Sequence, residues 1–165
     1  MTDPIRKIMV YVDGSEASMA AARYAVVLAG TLEAELVALT VVNTRALADL
    51  VKAHIFLVSE QEDYFRDLNA DAERYLNYAR DLARKKGVAA TTEVASGAVS
   101  LEIRNKAVQL GVDLLVLGEL PQAQSRRDEL YDEVDRAMRS VPCSVLIAKD
   151  EDRIWDLYEA YRQGR

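Results

Sequence analysis

The sequence predicts an α/β fold: a five-stranded parallel sheet flanked by helices in an open, doubly wound arrangement, followed by an extra C-terminal helix. Short apolar runs rich in β-branched residues alternate along the chain with longer segments of helical periodicity. One run, DLLVLG, is apolar without alternation, which is typical of a strand covered on both faces. With 165 residues, half of them hydrophobic, the chain is long enough to bury a core of its own.

The first elements are a strand, a helix and a second strand. KIMVYVDG is a buried strand that ends in an Asp-Gly turn. Ser15 is placed to cap a helix over residues 16–29, and Gly30 is expected to stop that helix. ELVALTVV is the second apolar strand. The segment that follows, residues 46–57, is either a mobile connection or a short helix.

The longest periodic segment lies in the middle of the chain, over about residues 61–86. Its apolar residues recur every three or four positions, and they are Tyr64, Leu68, Ala72, Tyr75, Ala79 and Leu82. Gly87 follows and ends the predicted helix. In the next stretch, VAATTEVASG, alternation predicts a third strand with one better-buried face, made of Val88, Ala90, Thr92 and Val94.

The remaining elements complete the alternation. A shorter helix stops at Gly111, and its apolar residues are Leu101, Ile103, Ala107 and Leu110. DLLVLG is the fourth strand, residues 128–140 form a helix that Pro142 breaks, and SVLIAK is the fifth strand. Strands that alternate with helices imply a parallel sheet with right-handed crossovers.

We predict one domain over residues 1–149 and a C-terminal amphipathic helix extension over residues 150–165. The extension carries a narrow apolar stripe with Trp155 beside it, made of Ile154, Leu157 or Tyr158, and Tyr161. This stripe packs either against the protein's own surface or against a second subunit.

Charge and cysteine content exclude several classes of protein. A net charge of −6 argues against nucleic acid as a partner, because such sites need clustered cations. Cys143 is the only cysteine, so no internal disulfide can form and a reducing compartment is expected. We recognise neither a signal peptide nor an apolar run of membrane-spanning length. The cytoplasm is therefore the expected location, without membrane association.

Folds of this class bind ligands at the carboxyl ends of strands where the strand order reverses, so the loops after Val12 and Leu117 are the candidate regions. Asp13 is either a ligand-binding carboxylate or the acceptor of N–H bonds within its own turn. Ser15 has no base paired with it, and the only histidine, His54, has no cysteine or second histidine beside it. We therefore predict neither catalytic residues nor a metal site.

Three stretches of the chain resemble the universal stress protein family: KIMVYVDGSEASMAAARYAVVLA, LGVDLLVLG and RSVPCSVLIAKD. The resemblance implies the adenine nucleotide alpha hydrolase-like sheet and a stress-linked binding protein without enzymatic activity. It also implies a homodimer formed through the last strand, at Val145, Leu146 and Ile147.

Some members of that family bind ATP, using an aspartate after the first strand and a backbone position at the end of the second. The resemblance places these functions at Asp13, with Gly14 in the same turn, and at Val41 or Val42. In those members a loop of pattern G-x-x-G-x(9)-G-S/T holds the phosphates.

Only the first glycine of this loop pattern is present, at Gly118. Pro121, Tyr131 and Asp132 occupy the other three positions. Proline lacks an N–H group, tyrosine is bulky where the backbone must approach the phosphate, and aspartate repels it. We therefore predict that the protein does not bind ATP in the usual way of the family and holds no cofactor.

Two arginines in this loop leave an alternative open. Arg126 and Arg127 either clamp an anion through their guanidinium groups or pair with Asp128 and Glu129 in a solvated loop. The first hypothesis is a homodimeric binding or regulatory module that acts in the stress response through protein contacts. The alternative is a sensor of ATP or AMP with altered phosphate contacts, at Asp13, Val42, Gly118 and the two arginines. An enzyme related by fold to the nucleotide alpha hydrolases is the third, and the incomplete phosphate loop argues against it.

Overall fold

The computed structural model describes residues 4–53, 57–120 and 129–163. Within them lie five parallel strands: β1 Lys7–Tyr11, β2 Glu35–Val42, β3 Ala90–Ser96, β4 Leu114–Gly118 and β5 Ser144–Ala148. They form one sheet of order β3-β2-β1-β4-β5. The predicted fold class is confirmed.

Helices cover both faces of the sheet. They are α1 Glu16–Leu32, α2 Thr44–Lys52, α3 Val58–Lys85, α4 Val99–Leu110, α5 Glu129–Ser140 and α6 Glu151–Ala160. Successive residues of a strand point to opposite faces, so Ile8 and Val10 of β1 join a core with α1, α3 and α6, whereas Met9 and Tyr11 join a core with α4 and α5. No helix in the described part of the chain is long and apolar enough to cross a membrane.

The strand order reverses beside β1, the central strand. Ile8 aligns with Leu36 of β2 on one side and with Leu114 of β4 on the other. The carboxyl ends of β1 and β4 are therefore neighbours at the switch point of the sheet, which is where the sequence predicted the candidate loops.

The end of α1 differs from the prediction. Ser15 caps the helix as expected, since its Oγ accepts a hydrogen bond of 3.1 Å from the N–H of Ser18. Gly30 does not stop the helix, which continues to Leu32 and is capped by Glu33 in the left-handed conformation, at a φ of 54°. Gly30 instead makes room for Tyr161, because a Cβ at this position would collide with the tyrosine ring.

The third strand buries a different residue from the one expected. Val94 lies on the predicted buried face and yet is 39% exposed, whereas Ala95 on the opposite face is buried. The reason is that β3 is an edge strand that pairs only with β2, so helices cover it incompletely.

The prediction for α4, the helix that follows β3, was also wrong at one position. Leu101 is 50% exposed, and the face of α4 that packs on the sheet consists of Val99, Ile103 and Ala107, at a spacing of four. Gly111 ends α4 in the left-handed conformation, as predicted. For residues 46–57 the sequence left two alternatives, a mobile connection or a short helix. The structure contains a helix there, α2, which ends at Lys52.

Helix α6 packs against the protein's own surface, which was one of the two alternatives. Ile154 is 2% exposed and belongs to the same core as α1 and α3, as does Tyr158. The Tyr158 hydroxyl donates a buried hydrogen bond of 2.7 Å to the carbonyl of Leu82 in α3. Leu157 and Trp155 are on the outer side of the helix and stay exposed.

At the switch point, β4 ends in close contact with the start of α1. A Cβ on Gly118 would lie 2.5 Å from the carbonyl carbon and oxygen of Ala17 and 2.8 Å from the amide nitrogen of Ser18. These are backbone atoms that cannot move aside without displacing the helix. A glycine is therefore required here by packing alone.

If α6 is part of the core, Ile154→Ala will lower the free energy of unfolding by about 2–5 kcal/mol, the usual cost of truncating a buried aliphatic side chain. The matched control on the same helix, Leu157→Ala, removes an exposed side chain and will cost about 0.5 kcal/mol or less. Urea denaturation followed by circular dichroism measures both. Equal, small effects would show that α6 is not part of the folded core.

The contact at Gly118 generates a second prediction. Gly118→Ala will destabilise the protein by about 1–3 kcal/mol, because the added methyl group must displace the first turn of α1. Gly111→Asn is the control: nothing lies within 4 Å of that position, and asparagine tolerates the left-handed conformation, so its cost will be about 0.5 kcal/mol or less. A Gly118→Ala protein that unfolds at the same urea concentration as the wild type would contradict the packing role.

Candidate functional site

A cavity of about 210 Å³ opens at the carboxyl ends of β1 and β2, beneath α3. Val41 and Val42 at the end of β2 form part of its apolar wall, together with Val99 at the start of α4. Its polar groups come from β1, β2 and α3 and from the turns that follow the two strands, and they are Tyr11, Asp13, Thr40, Asn43, Asp71 and Tyr75. The fold thus brings the predicted Asp13, Val41 and Val42 to one cavity.

Asp13 organises the turn between β1 and α1. Its Oδ1 accepts hydrogen bonds from the N–H of Ser15 at 3.0 Å and from the Ser15 hydroxyl at 2.6 Å. Its own N–H donates to Oγ of Ser18 at 3.1 Å. One carboxylate oxygen therefore accepts hydrogen bonds within the turn, which is one of the two roles that the sequence predicted for Asp13. The half-buried side chain also lines the cavity.

Gly14 lies directly beneath α3. It has a φ of +83°, which favours glycine, and a Cβ there would collide with the ring of Tyr75. Tyr75 therefore closes the β1–α1 turn from above. Sequence reasoning placed Tyr75 in the apolar stripe of the long helix, which gave the correct helix face without indicating what that face covers.

Asp71 is a charged site residue that the sequence analysis missed. It lies one turn before Tyr75 on α3, lines the cavity, and pairs with Arg74 toward solvent. In the sequence, the signal for this residue is a carboxylate next to Ala72, at the boundary between the apolar stripe and the charged surface of the helix. That signal is weak, because aspartates at such boundaries are ordinary on surface helices.

The other predicted residues divide into two groups. Gly118 is at the end of β4, against Ala17, and is not among the residues that line this cavity. Arg126 and Arg127 lie outside the described residues, as do Pro121 and His54.

The hydroxyl groups of Tyr11 and Thr40 also line the cavity. Both residues are buried, at 4% and 3% exposure. Neither hydroxyl is among the buried side-chain polar atoms without a partner in the described residues, where Nε of Arg23 is found instead.

The electrostatic environment of Tyr11 is negative. Burial, followed by the nearby charges of Asp13 and Glu133, raises the pKa of the Tyr11 hydroxyl well above its usual value, so the group stays protonated. For Glu133, burial favours the neutral carboxyl group. The hydrogen bonds that it accepts from the N–H and hydroxyl of Ser100, helped by Arg136 and Arg45, outweigh burial and lower its pKa. Glu133 is thus a carboxylate that caps the start of α4.

These groups offer hydrogen bonding and negative charge. Among the described residues that line the cavity, none is an arginine, lysine or histidine. The described part of the chain also contains no group of three histidine, cysteine or acidic side chains able to hold a metal ion.

Comparison with known proteins identifies the fold family. The Universal stress protein YxiE of Bacillus subtilis is 30% identical over 148 residues, covering 87% of this chain and 98% of that protein. The structure of universal stress protein UspA from Lactobacillus plantarum superposes with a TM-score of 0.70 at 24% identity, covering 88% of this chain and 98% of that one. A universal stress protein in complex with cAMP superposes with a TM-score of 0.66 at 21% identity, covering 87% and 96%.

The model of the universal stress protein family matches residues 4–149, from the segment before β1 through the end of β5. This range contains the whole five-stranded sheet and the cavity at its carboxyl edge. The chain belongs to the universal stress protein family.

Proposed function

We propose that the protein is a homodimeric binding and regulatory module of the stress response that does not hold ATP in the way of the ATP-binding members of its family. The observation that carries the proposal is the charge of the candidate cavity, whose described lining residues include Asp13 and Asp71 and no cationic side chain. A polyphosphate bound there would lie beside the carboxylates of Asp13 and Asp71, at a cost in free energy.

The switch point offers little compensation for a phosphate chain. At the N-terminus of α1 two N–H groups are already engaged, since Ser15 accepts from the N–H of Ser18 and Asp13 accepts from the N–H of Ser15. In the sequence, the three remaining positions of the phosphate loop are Pro121, Tyr131 and Asp132. A nest of inward N–H groups needs residues of small size and free conformation at those places.

The edge strand β5 supports the homodimer. It pairs with β4 on one side and has no strand on its other side within the described sheet. Its residues Val145, Leu146 and Ile147 are only half buried. An apolar, unpaired edge is a template for a second strand, and a second copy of this chain supplies one by two-fold symmetry.

Regulation through protein contacts completes the proposal, with no reaction catalysed and no nucleic-acid or membrane partner. The net charge of −6 disfavours nucleic acid. The single Cys143 suits a reducing compartment, so we place the protein in the cytoplasm.

A second candidate function is a sensor of ATP or AMP. It is favoured by the position of Asp13 and Val42 in one cavity and by the cAMP complex of the similar protein. In this alternative, Gly118, Arg126 and Arg127 replace the missing backbone contacts to phosphate.

The proposal about ATP is tested by restoring the family pattern. Calorimetric titration of wild-type protein with ATP and magnesium will give no binding tighter than about 1 mM. The triple variant Pro121→Gly, Tyr131→Gly, Asp132→Ser regains all four positions of the loop, and its ATP affinity will rise above that limit. Nucleotide that co-purifies with the wild type, or micromolar binding that Arg126→Ala and Arg127→Ala abolish, would favour the sensor.

The homodimer is tested at the two edges of the same sheet. Ile147→Lys places a charge on the edge strand β5 and will convert the dimer to monomers in sedimentation velocity, because an ammonium group opposes strand pairing. The control, Val94→Lys, places the same charge on the opposite edge strand β3 and will leave the dimer intact. Circular dichroism checks that both variants are folded. A wild-type monomer, or dissociation by Val94→Lys alone, would exclude pairing through β5.

A further inference from the structure

An apolar groove of about 240 Å³ lies between the edge strand β5 and the C-terminal helix α6. Residues 146–149 line it in succession, so the groove follows the strand to its end. Leu157 lines it from α6 and Tyr24 lines it from α1. Leu157 is 37% exposed, and Leu146 and Tyr24 are only half buried. Apolar surface from three elements therefore stays accessible at one place, beside the edge of the sheet.

The position of the groove determines what a second copy of the chain would place there. Within the described sheet, β5 pairs with β4 alone. Two copies that join antiparallel at β5 are related by a two-fold axis perpendicular to the sheet. Such an axis keeps each face of the sheet on its own side, and α6 belongs to the core of one face. The α6 helices of the two copies therefore lie on the same face of the joined sheet, with their grooves facing each other.

The charges of α6 are complementary to those of a second α6. Arg153 lines the groove one turn before Leu157, and Asp156 is exposed on the same helix. Within the described residues, neither charge has an ion pair. The two-fold axis makes the helices antiparallel, so the arginine of each copy approaches the aspartate of the other. Each copy has a net charge of −6, and this exchange of opposite charges offsets their repulsion.

We propose that the groove between β5 and α6 receives the same surface of a second copy of this chain, so that α6 extends the homodimer interface beyond the strand. Leu157 supplies the apolar contact, and Arg153 fixes the orientation of the two helices. The model of the family ends at residue 149, before α6 begins, so this contact belongs to the C-terminal extension. The inference rests on the proposed function, in which the two copies pair through β5.

Sedimentation equilibrium of the full chain measures the dissociation constant of the dimer. Leu157→Asp will raise it by about tenfold or more, because each dimer contains the contact twice and the change places a charge in an apolar groove. Arg153→Gln will raise it several-fold. Trp155→Asp is the matched control: it introduces the same charge at a position of α6 that is 48% exposed and stacks on Arg23, away from the groove, and it will leave the dissociation constant unchanged. Circular dichroism checks that all three variants are folded.

The outcomes separate this inference from the proposed function. Weaker association of the folded Leu157→Asp protein, with Trp155→Asp unaffected, supports both. A dimer that Ile147→Lys dissociates and Leu157→Asp does not overturns the inference while the proposed homodimer stands. Equal losses in Leu157→Asp and Trp155→Asp show a general effect of negative charge on an acidic protein and also overturn it. A wild-type chain that stays monomeric overturns both, and leaves the groove to a different protein.

Discussion

The close packing of α1 across β1 and β4 is the contact on which the rest of the structure depends. Gly118 lies so near to Ala17 that no side chain fits between them. The buried face of α1 is made largely of alanines, among them Ala21 and Ala25, which allow the helix to approach the sheet closely. This approach fixes the β1–α1 turn, with Asp13 at its start, at the switch point of the sheet.

The long helix α3 determines the space and the charge of the candidate cavity. Its C-terminal part packs on the same core as α1, and its middle part passes over the carboxyl ends of β1 and β2. Tyr75 meets Gly14 there, and Asp71 faces the cavity. One helix thus narrows the space available at the turn and adds a carboxylate to it. In the proposed function, both effects act against a large anionic ligand, independently of what the phosphate loop contains.

Helix α6 and the edge strand β5 have different consequences for assembly with a second chain. Helix α6 uses Ile154 and Tyr158 to complete the protein's own core, and its contact with α1 requires Gly30 to make room for Tyr161. The apolar stripe of α6 is therefore buried within the protein's own core. The half-buried residues of the edge strand β5 remain available for a partner, because nothing in the described sheet pairs with its outer side.

Apart from α2, the sequence by itself determined the type and order of the elements, because the periodicity of apolar residues and the capping chemistry of Ser15 and Gly111 are local properties. It also placed Asp13 and Val42 at strand ends, and strand ends of a parallel sheet meet at one edge. Tertiary structure alone decided the role of Gly30, the exposure of Val94 and Leu101, and the contribution of α3 to the cavity, as these depend on residues far away in the chain. A hydrophobic stripe specifies which face of a helix is buried, but only packing specifies what that face covers.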